Sequence, residues 1–196
     1  MALLSLDHWP LLFVSAAMIV AAVIDGWKLK VPNWLTYPLV FSGWGFGLCH
    51  NLGWFEDYGI GGIGASLLGT LVGFLLLLPV YAIGGMGAGV VKMQMGFGAW
   101  VGAYFGIAAG LLVIWWAFAV AVIIGGVLAL GMMAIRGRYR TNLANTREIF
   151  GDLLGANNIG QIADRAARRK PRMHLLPYGI PLCLGFVGYL FYMHAI

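Results

Sequence analysis

Charged residues are scarce in this sequence: Asp, Glu, Lys and Arg make up 10% of its 196 residues, whereas hydrophobic types make up 61%. This composition, with a mean hydropathy of +0.87, lies outside the range of soluble globular domains. A membrane-crossing helix needs about 20 apolar residues, so the length allows six or seven crossings and no sizeable soluble catalytic domain. The sequence therefore predicts an all-α polytopic membrane protein.

Acidic residues and cysteines are few. The 12 basic residues outnumber the seven acidic ones, but in a membrane protein such an excess marks cytoplasmic loops, which disfavours nucleic acid as a partner. Cys49 and Cys183 lie in apolar stretches without any CxxC spacing. A disulfide framework or structural zinc site is therefore not expected, and both cysteines are predicted to be packing residues.

Polar segments divide the chain into six predicted transmembrane helices within one integral-membrane domain, 1–196. Two of these helices share a run of 43 residues without a formal charge, Met93 to Ile135, which at about 1.5 Å per residue is roughly twice the thickness of a hydrocarbon core. We expect a turn near residues 106–110. Glycines at 98, 102, 106 and 110 form a flat helix face, for which we predict close helix packing. The predicted spans are 9–24, 34–49, 59–83, 90–107, 110–135 and 175–196.

The placement of charge predicts the orientation. All 12 basic residues fall in the first, third and fifth connections, the last of which is the loop 136–174. Asp7, Glu56 and Asp57 fall on the other side. The positive-inside rule then places both termini outside and the loop 136–174 in the cytoplasm. The basic run Arg165–Arg172 suits anionic headgroups, so membrane lipids are expected partners.

Two features on the predicted cytoplasmic face could carry chemistry. Asp25 is the only carboxylate adjoining an apolar span on that side, although a helix-end aspartate can also simply meet headgroups or pair with a lysine such as Lys28. The second feature is the glycine-rich segment Gly84–Lys92. Its glycines allow two backbones and a bound peptide to approach closely, while the alternative is a mere helix break.

These two segments resemble the type IV prepilin peptidase family. Residues 25–36, reading DGWKLKVPNWLT, are similar to its D-x(5)-[IV]-P-N-x-L-T segment, and residues 87–92, reading GAGVVK, are similar to its G-x-G-D-x-K segment. Residues 98–100 and 176–181 also resemble the family, particularly the short forms that serve Tad (Flp) pili. The resemblance covers essentially the whole chain.

The resemblance implies a multi-pass protein of the bacterial inner membrane with six transmembrane helices. It implies an aspartic endopeptidase that cuts the basic leader from prepilins at the cytoplasmic membrane face, with no cofactor and no metal. The two catalytic positions would be Asp25 and residue 90. Lys92 would bias the carboxyl charge or contact backbone carbonyls. The residues implied to shape the site are Pro32, Asn33, Gly87, Gly89 and Lys92.

One departure from the family bears directly on activity, because residue 90, where the family carries its second aspartate, is Val90. An aspartic protease needs two carboxyls, one to deprotonate the attacking water and one to donate a proton to the peptide carbonyl. Asp25 alone cannot hold both roles, so we expect this chain to bind substrate without cutting it. Either an active peptidase has been inactivated, or the chain is a natural pseudo-peptidase.

Other functions are open on the sequence alone. A non-catalytic pilus-assembly subunit could hold prepilin helices in the same groove. A small channel or transporter could be built on the glycine stripe, although no ionisable residue lies deep in any predicted span. His8, His50 and His194 fall near the predicted outer face, where an external metal site is an alternative to the histidines that commonly end membrane helices.

Overall fold

Every regular element in the described part of the chain is a helix. The computed structural model describes residues 8–55, 58–82, 86–136 and 177–195, and no strand occurs in these ranges. The predicted all-α class is confirmed. Beyond Arg136, the predicted cytoplasmic loop lies outside the described residues. The helices are α1 (Trp9–Lys28), α2 (Asn33–Asn51), α3 (Ile63–Ala82), α4 (Ala88–Arg136) and α5 (Gly179–Ala195).

Helix α4 is broken at Gly106, whose φ of 77° and ψ of −172° are not helical. The chain folds back there, because a Cβ placed on Gly110 would lie 3.2 Å from the Cα of Gly102. This break falls within the predicted turn at residues 106–110. We call the two parts of α4 the first limb (88–105) and the second limb (107–136).

The break leaves carbonyl groups at the end of the first limb without helical partners, and the segment before α3 binds two of them. The amide of Ile60 donates to the carbonyl of Tyr104 at 3.0 Å, and the amide of Gly61 donates to that of Ala103 at 3.0 Å. Satisfying such orphan groups is a general requirement at helix ends. Residues 59–61 therefore stabilise the break, which explains why α3 begins at Ile63 rather than at the predicted residue 59.

The first limb of α4 is the central element of the bundle. Phe97 is fully buried and stacks on Phe186 of α5, with ring centroids 4.3 Å apart. Trp100 stacks on Phe46 of α2 at 5.2 Å and meets Trp9 of α1 edge-on at 6.1 Å. These contacts pack the first limb against α1, α2 and α5.

Small residues bring the first limb directly against α3. A Cβ on Gly98 would lie 2.7 Å from the carbonyl carbon of Gly69, and one on Gly102 would lie 2.9 Å from that of Ala65. Both distances are shorter than side chains tolerate, so only glycine permits this approach. The packing role predicted for the glycine stripe is confirmed at these two positions.

Three of the described helical segments are long and apolar enough to cross a membrane: Trp9–Lys28, Ile63–Ala82 and Ala88–Met132. A shorter apolar segment covers Gly179–Met193. Large apolar side chains on the outside of the bundle, such as Leu71 and Ile123, are more than half exposed. An outer surface of this kind suits lipid, and it indicates a membrane protein.

Helix α1 extends beyond the membrane span that the sequence predicts for it. The predicted span stops at Ile24, because the polar run that follows it is too hydrophilic for hydrocarbon, but the helix continues to Lys28. It closes at Leu29, which adopts the left-handed conformation with φ 50° and donates its amide to the carbonyl of Asp25 at 2.8 Å. Asp25 therefore lies inside the last turn of α1.

Candidate active site

The carboxyl group of Asp25 is buried between α1 and α5. Only 2% of the residue is exposed, and its Oδ2 accepts a hydrogen bond from the backbone amide of Gly179 at 2.8 Å. A buried polar group is costly unless it is hydrogen-bonded, so this contact explains how α1 can carry an aspartate past its predicted end. Within the described residues, the partner of Asp25 is Gly179 and not Lys28.

Gly179 is the first residue of α5, and its lack of a side chain is what allows the contact. A Cβ at this position would lie 2.9 Å from both Cβ and Oδ2 of Asp25. The first amides of a helix have no intrahelical partner and carry partial positive charge, which makes them natural donors to a carboxylate. Sequence reasoning found the segment but gave Gly179 no role. A glycine between Pro177 and Pro181, at the start of an apolar run, was the available signal.

The glycine-rich segment begins α4 and meets the connection between α1 and α2. A Cβ on Gly89 would lie 2.5 Å from the carbonyl oxygen of Val31 and 3.0 Å from its Cβ. The predicted close approach of two backbones is confirmed at Gly89. A Cβ on Gly87 would meet no atom within 4 Å, so nothing around Gly87 requires glycine there. Gly84 and Gly85 lie outside the described residues.

Val90 lies in the first turn of α4 and belongs to the apolar core. It is 3% exposed, and its amide donates to the carbonyl of Gly87 at 3.2 Å. Asp25 is the only acidic residue in the part of the chain that the structure describes. Of the two positions that the resemblance implies to be catalytic, one therefore carries a buried carboxyl group on α1 and the other a buried apolar side chain on α4.

Lys92 joins α4 to α2. Its Nζ donates to Oδ1 of Asn33 at 3.0 Å and to the hydroxyl of Tyr37 at 2.9 Å, and it lies 4.4 Å from the centre of the Tyr37 ring. Pro32 precedes α2 with φ −74° and ψ 147°, the extended geometry from which the helix starts at Asn33. Lys92 thus binds side-chain oxygens of α2 and not the backbone carbonyls that were one of its two expected partners, and an effect of Lys92 on the carboxyl charge stays a prediction. Tyr37, one turn after Asn33, was missed.

Two buried polar side chains close to this end of the bundle were also missed. Gln94 is fully buried one helical turn beyond Val90, and its amide has no hydrogen-bond partner among the described residues. Thr36 of α2 is 1% exposed, and its hydroxyl likewise finds none there. The available signal for Gln94 was that no other amide side chain occurs in the uncharged run.

The histidines considered for an external metal site have separate partners. Nδ1 of His8 lies 2.6 Å from the hydroxyl of Tyr104, and Nε2 of His50 lies 2.8 Å from the carbonyl oxygen of Gly59. The side chain of His194 lies outside the described residues. In the described ranges, no group of three or more His, Cys, Asp or Glu is placed to hold a metal ion. Cys49 and Cys183 are free thiols.

Comparison with known protein families identifies the family to which the chain belongs by sequence. A sequence model described as the type IV leader peptidase family matches residues 12–134, more than half of the chain. The matched region runs from α1 into the second limb of α4 and includes Asp25, the connection to α2 and Val90. Neither a curated protein nor a solved structure matches the chain.

Proposed function

Because the chain belongs to the type IV leader peptidase family, we propose that it binds prepilins at the cytoplasmic face of a bacterial inner membrane without cleaving them. The family consists of aspartic peptidases, and its substrates are prepilins in general. The observation that carries the proposal is the unequal pair of positions in the site: a hydrogen-bonded carboxyl at Asp25 and a buried valine at residue 90.

The chemistry of peptide hydrolysis explains why this pair favours binding over cleavage. One carboxylate must take a proton from water while a second, protonated carboxyl gives a proton to the peptide carbonyl. Asp25 can be either the base or the acid at a given moment, but it cannot be both. Val90 has neither a proton to donate nor a lone pair to orient water. Substrate contacts away from residue 90 do not depend on the missing group.

The parts of the site other than residue 90 support recognition of a substrate. Asp25 accepts a hydrogen bond from a backbone amide, Gly89 packs closely against Val31, and Lys92 donates to two side-chain oxygens. These contacts join α1 to α5, and they join the start of α4 to α2 and to the connection that precedes it. The valine therefore removes a chemical group from a site whose surrounding contacts are formed.

We place this site in a six-helix membrane protein with both termini outside. Helices α1, α2, α3 and α5 and the two limbs of α4 would each cross once, with Lys28, Lys92 and the loop 136–174 in the cytoplasm. Single-cysteine labelling in cells, in a chain lacking Cys49 and Cys183, tests this. Positions near Glu56 should react with an impermeant reagent and positions near Arg168 should not, and the reverse pattern would overturn the orientation.

The valine has two possible origins: inactivation of an active peptidase or a natural pseudo-peptidase that assists pilus assembly. The residue encoded at codon 90 in the source genome distinguishes them. A channel or transporter is disfavoured, because Gly98 and Gly102 of the glycine stripe pack directly against the backbone of α3. These two glycines therefore do not line an opening.

Binding without cleavage can be tested by co-purification. The chain would be expressed with a prepilin that carries a basic leader and an apolar helix, then purified in detergent. We expect full-length prepilin with its leader intact to co-purify, whereas an unrelated single-span membrane protein should not. Absence of the prepilin, or recovery of cleaved prepilin only, would contradict the proposal.

A further inference from the structure

An apolar groove of about 640 Å³ lies between α1 and α5. The buried residues Ala22 and Cys183 contribute to its lining, and so do Ile19, Val23 and Leu184, each close to half exposed. None of the residues that line it carries a charge. A surface of this kind has to be covered by an apolar molecule, and in a membrane protein that molecule can lie within the bilayer.

One end of the groove lies beside the turn of α1 that carries the candidate catalytic carboxyl, and Asp25 itself is buried behind the lining. Gly26, which lines the groove, directly follows Asp25, and Ile180, which also lines it, directly follows Gly179. These two residues close the gap between the helices, since a Cβ on Gly26 would lie 3.3 Å from Cδ1 of Ile180. The residues of α1 that line the groove extend from Ile19 to Trp27, a rise of about 12 Å, so the groove follows the last two turns of the helix and passes the level of Asp25.

We propose that this groove binds the apolar helix of the prepilin, an inference that rests on the proposed function. The register of the groove argues for this occupant. The basic leader of a prepilin ends where its apolar helix begins, so the bond to be cut lies at one end of that helix. A helix lying in the groove with this end toward the cytoplasm brings the junction to Asp25.

The lining also suits a helix. Ala22 and Gly26 are four residues apart on α1, and small residues at this spacing allow a second helix to approach closely in a membrane. Val23 stands beside them and is 48% exposed, so a larger side chain there can enter the groove without disturbing the core. Leu71 of α3 is 51% exposed, does not line the groove, and provides a matched control position.

Photocrosslinking tests the location of the prepilin helix. p-Benzoylphenylalanine would be placed at position 23 or at position 71 of the full-length chain, with the prepilin co-expressed, and crosslinks would be mapped by mass spectrometry. We expect position 23 to crosslink to the first turns of the prepilin apolar helix and position 71 to give only background. Equal crosslinking at both positions would overturn the proposal. Crosslinks from position 23 to lipid, to a second copy of the chain or to the chain itself would also overturn it.

Filling the groove provides a second measurement. Val23→Trp should lower the amount of co-purified prepilin by about tenfold, the effect of losing roughly 1.4 kcal/mol of binding free energy, whereas Leu71→Trp should leave it unchanged. Unchanged co-purification with Val23→Trp would overturn the groove as the binding site while leaving the proposed function intact. Failure of the unmodified chain to retain any prepilin would overturn both.

Discussion

The backbone amide of Gly179 donates a hydrogen bond to Oδ2 of Asp25 across 2.8 Å, which joins the end of α1 to the start of α5. The two residues are 154 positions apart in sequence. Because the carboxyl is buried, this bond fixes its direction as well as stabilising it. The position of the candidate catalytic group therefore depends on the packing of α5 against α1.

The glycine at residue 179 should not tolerate even a methyl group. In Gly179→Ala the new Cβ would lie 2.9 Å from Oδ2 of Asp25, so either the hydrogen bond or the helix contact must give way. Overpacking of this kind costs about 1 to 3 kcal/mol, and we expect a lower thermal unfolding midpoint in detergent. Gly188→Ala on the same helix is the control, because its Cβ would meet no atom within 4 Å. Equal midpoints for the two variants would contradict the role assigned to Gly179.

The contact of α3 with the first limb of α4 should be similarly sensitive. Gly102→Leu would push a side chain into the backbone of Ala65, which should lower the free energy of unfolding by at least about 1 to 3 kcal/mol. We therefore expect a lower thermal unfolding midpoint in detergent. Gly126→Leu, where nothing lies within 4 Å, should be close to neutral. If Gly102→Leu is as stable as the parent and alters ion flux in liposomes, the packing role is wrong and a transport function gains support.

Gln94 should make the folded protein less stable than an apolar residue of the same length would. An unpaired buried amide costs about 1 to 3 kcal/mol, so Gln94→Met, which keeps the length of the side chain, should raise the thermal unfolding midpoint. Thr36→Val should shift it in the same direction. A fall in the midpoint for Gln94→Met would show that the amide has a partner in the membrane-embedded protein, such as a bound water.

The features that the sequence predicted correctly depend on local composition and on the length of apolar runs. Scarce charge predicted apolar helices, and the length of the uncharged run predicted a turn near residues 106–110, where the structure has the Gly106 break. Gly89 was expected to permit a close backbone approach, which it makes with Val31. The substitution at Val90 is visible in the sequence because the flanking residues of the segment are intact.

The features that could not be predicted depend on contacts between distant helices. Hydropathy ends the first span at Ile24, since an unpaired Asp25 is unfavourable in an apolar environment. The hydrogen bond from Gly179 of α5 lowers that cost, and no local pattern predicts it. The partners of Lys92 depend on how α2 packs against α4, and no local pattern specifies Tyr37 as one of them. Long-range pairing of this kind is not encoded in periodicity or composition.

The central claim is that a second carboxyl group at residue 90 is what this site lacks. Val90 lies in the first turn of α4, where the helix dipole favours a negative charge and so offsets part of the cost of burying the carboxyl group that Val90→Asp introduces. Val91→Asp, which adds the same group to a neighbouring buried residue on a different side of the helix, is the matched control.

Cleavage of a purified prepilin by four chains therefore tests the account most directly: the parent, Val90→Asp, Val91→Asp, and Val90→Asp combined with Asp25→Asn. We expect Val90→Asp to release the leader and the other three chains to be inactive or slower by at least about 10² to 10⁴, the usual contribution of a general acid or base. Cleavage by the parent chain, or cleavage by Val90→Asp that survives the added Asp25→Asn, would contradict the two-carboxyl account, and so would failure of Val90→Asp to cleave while still retaining the prepilin.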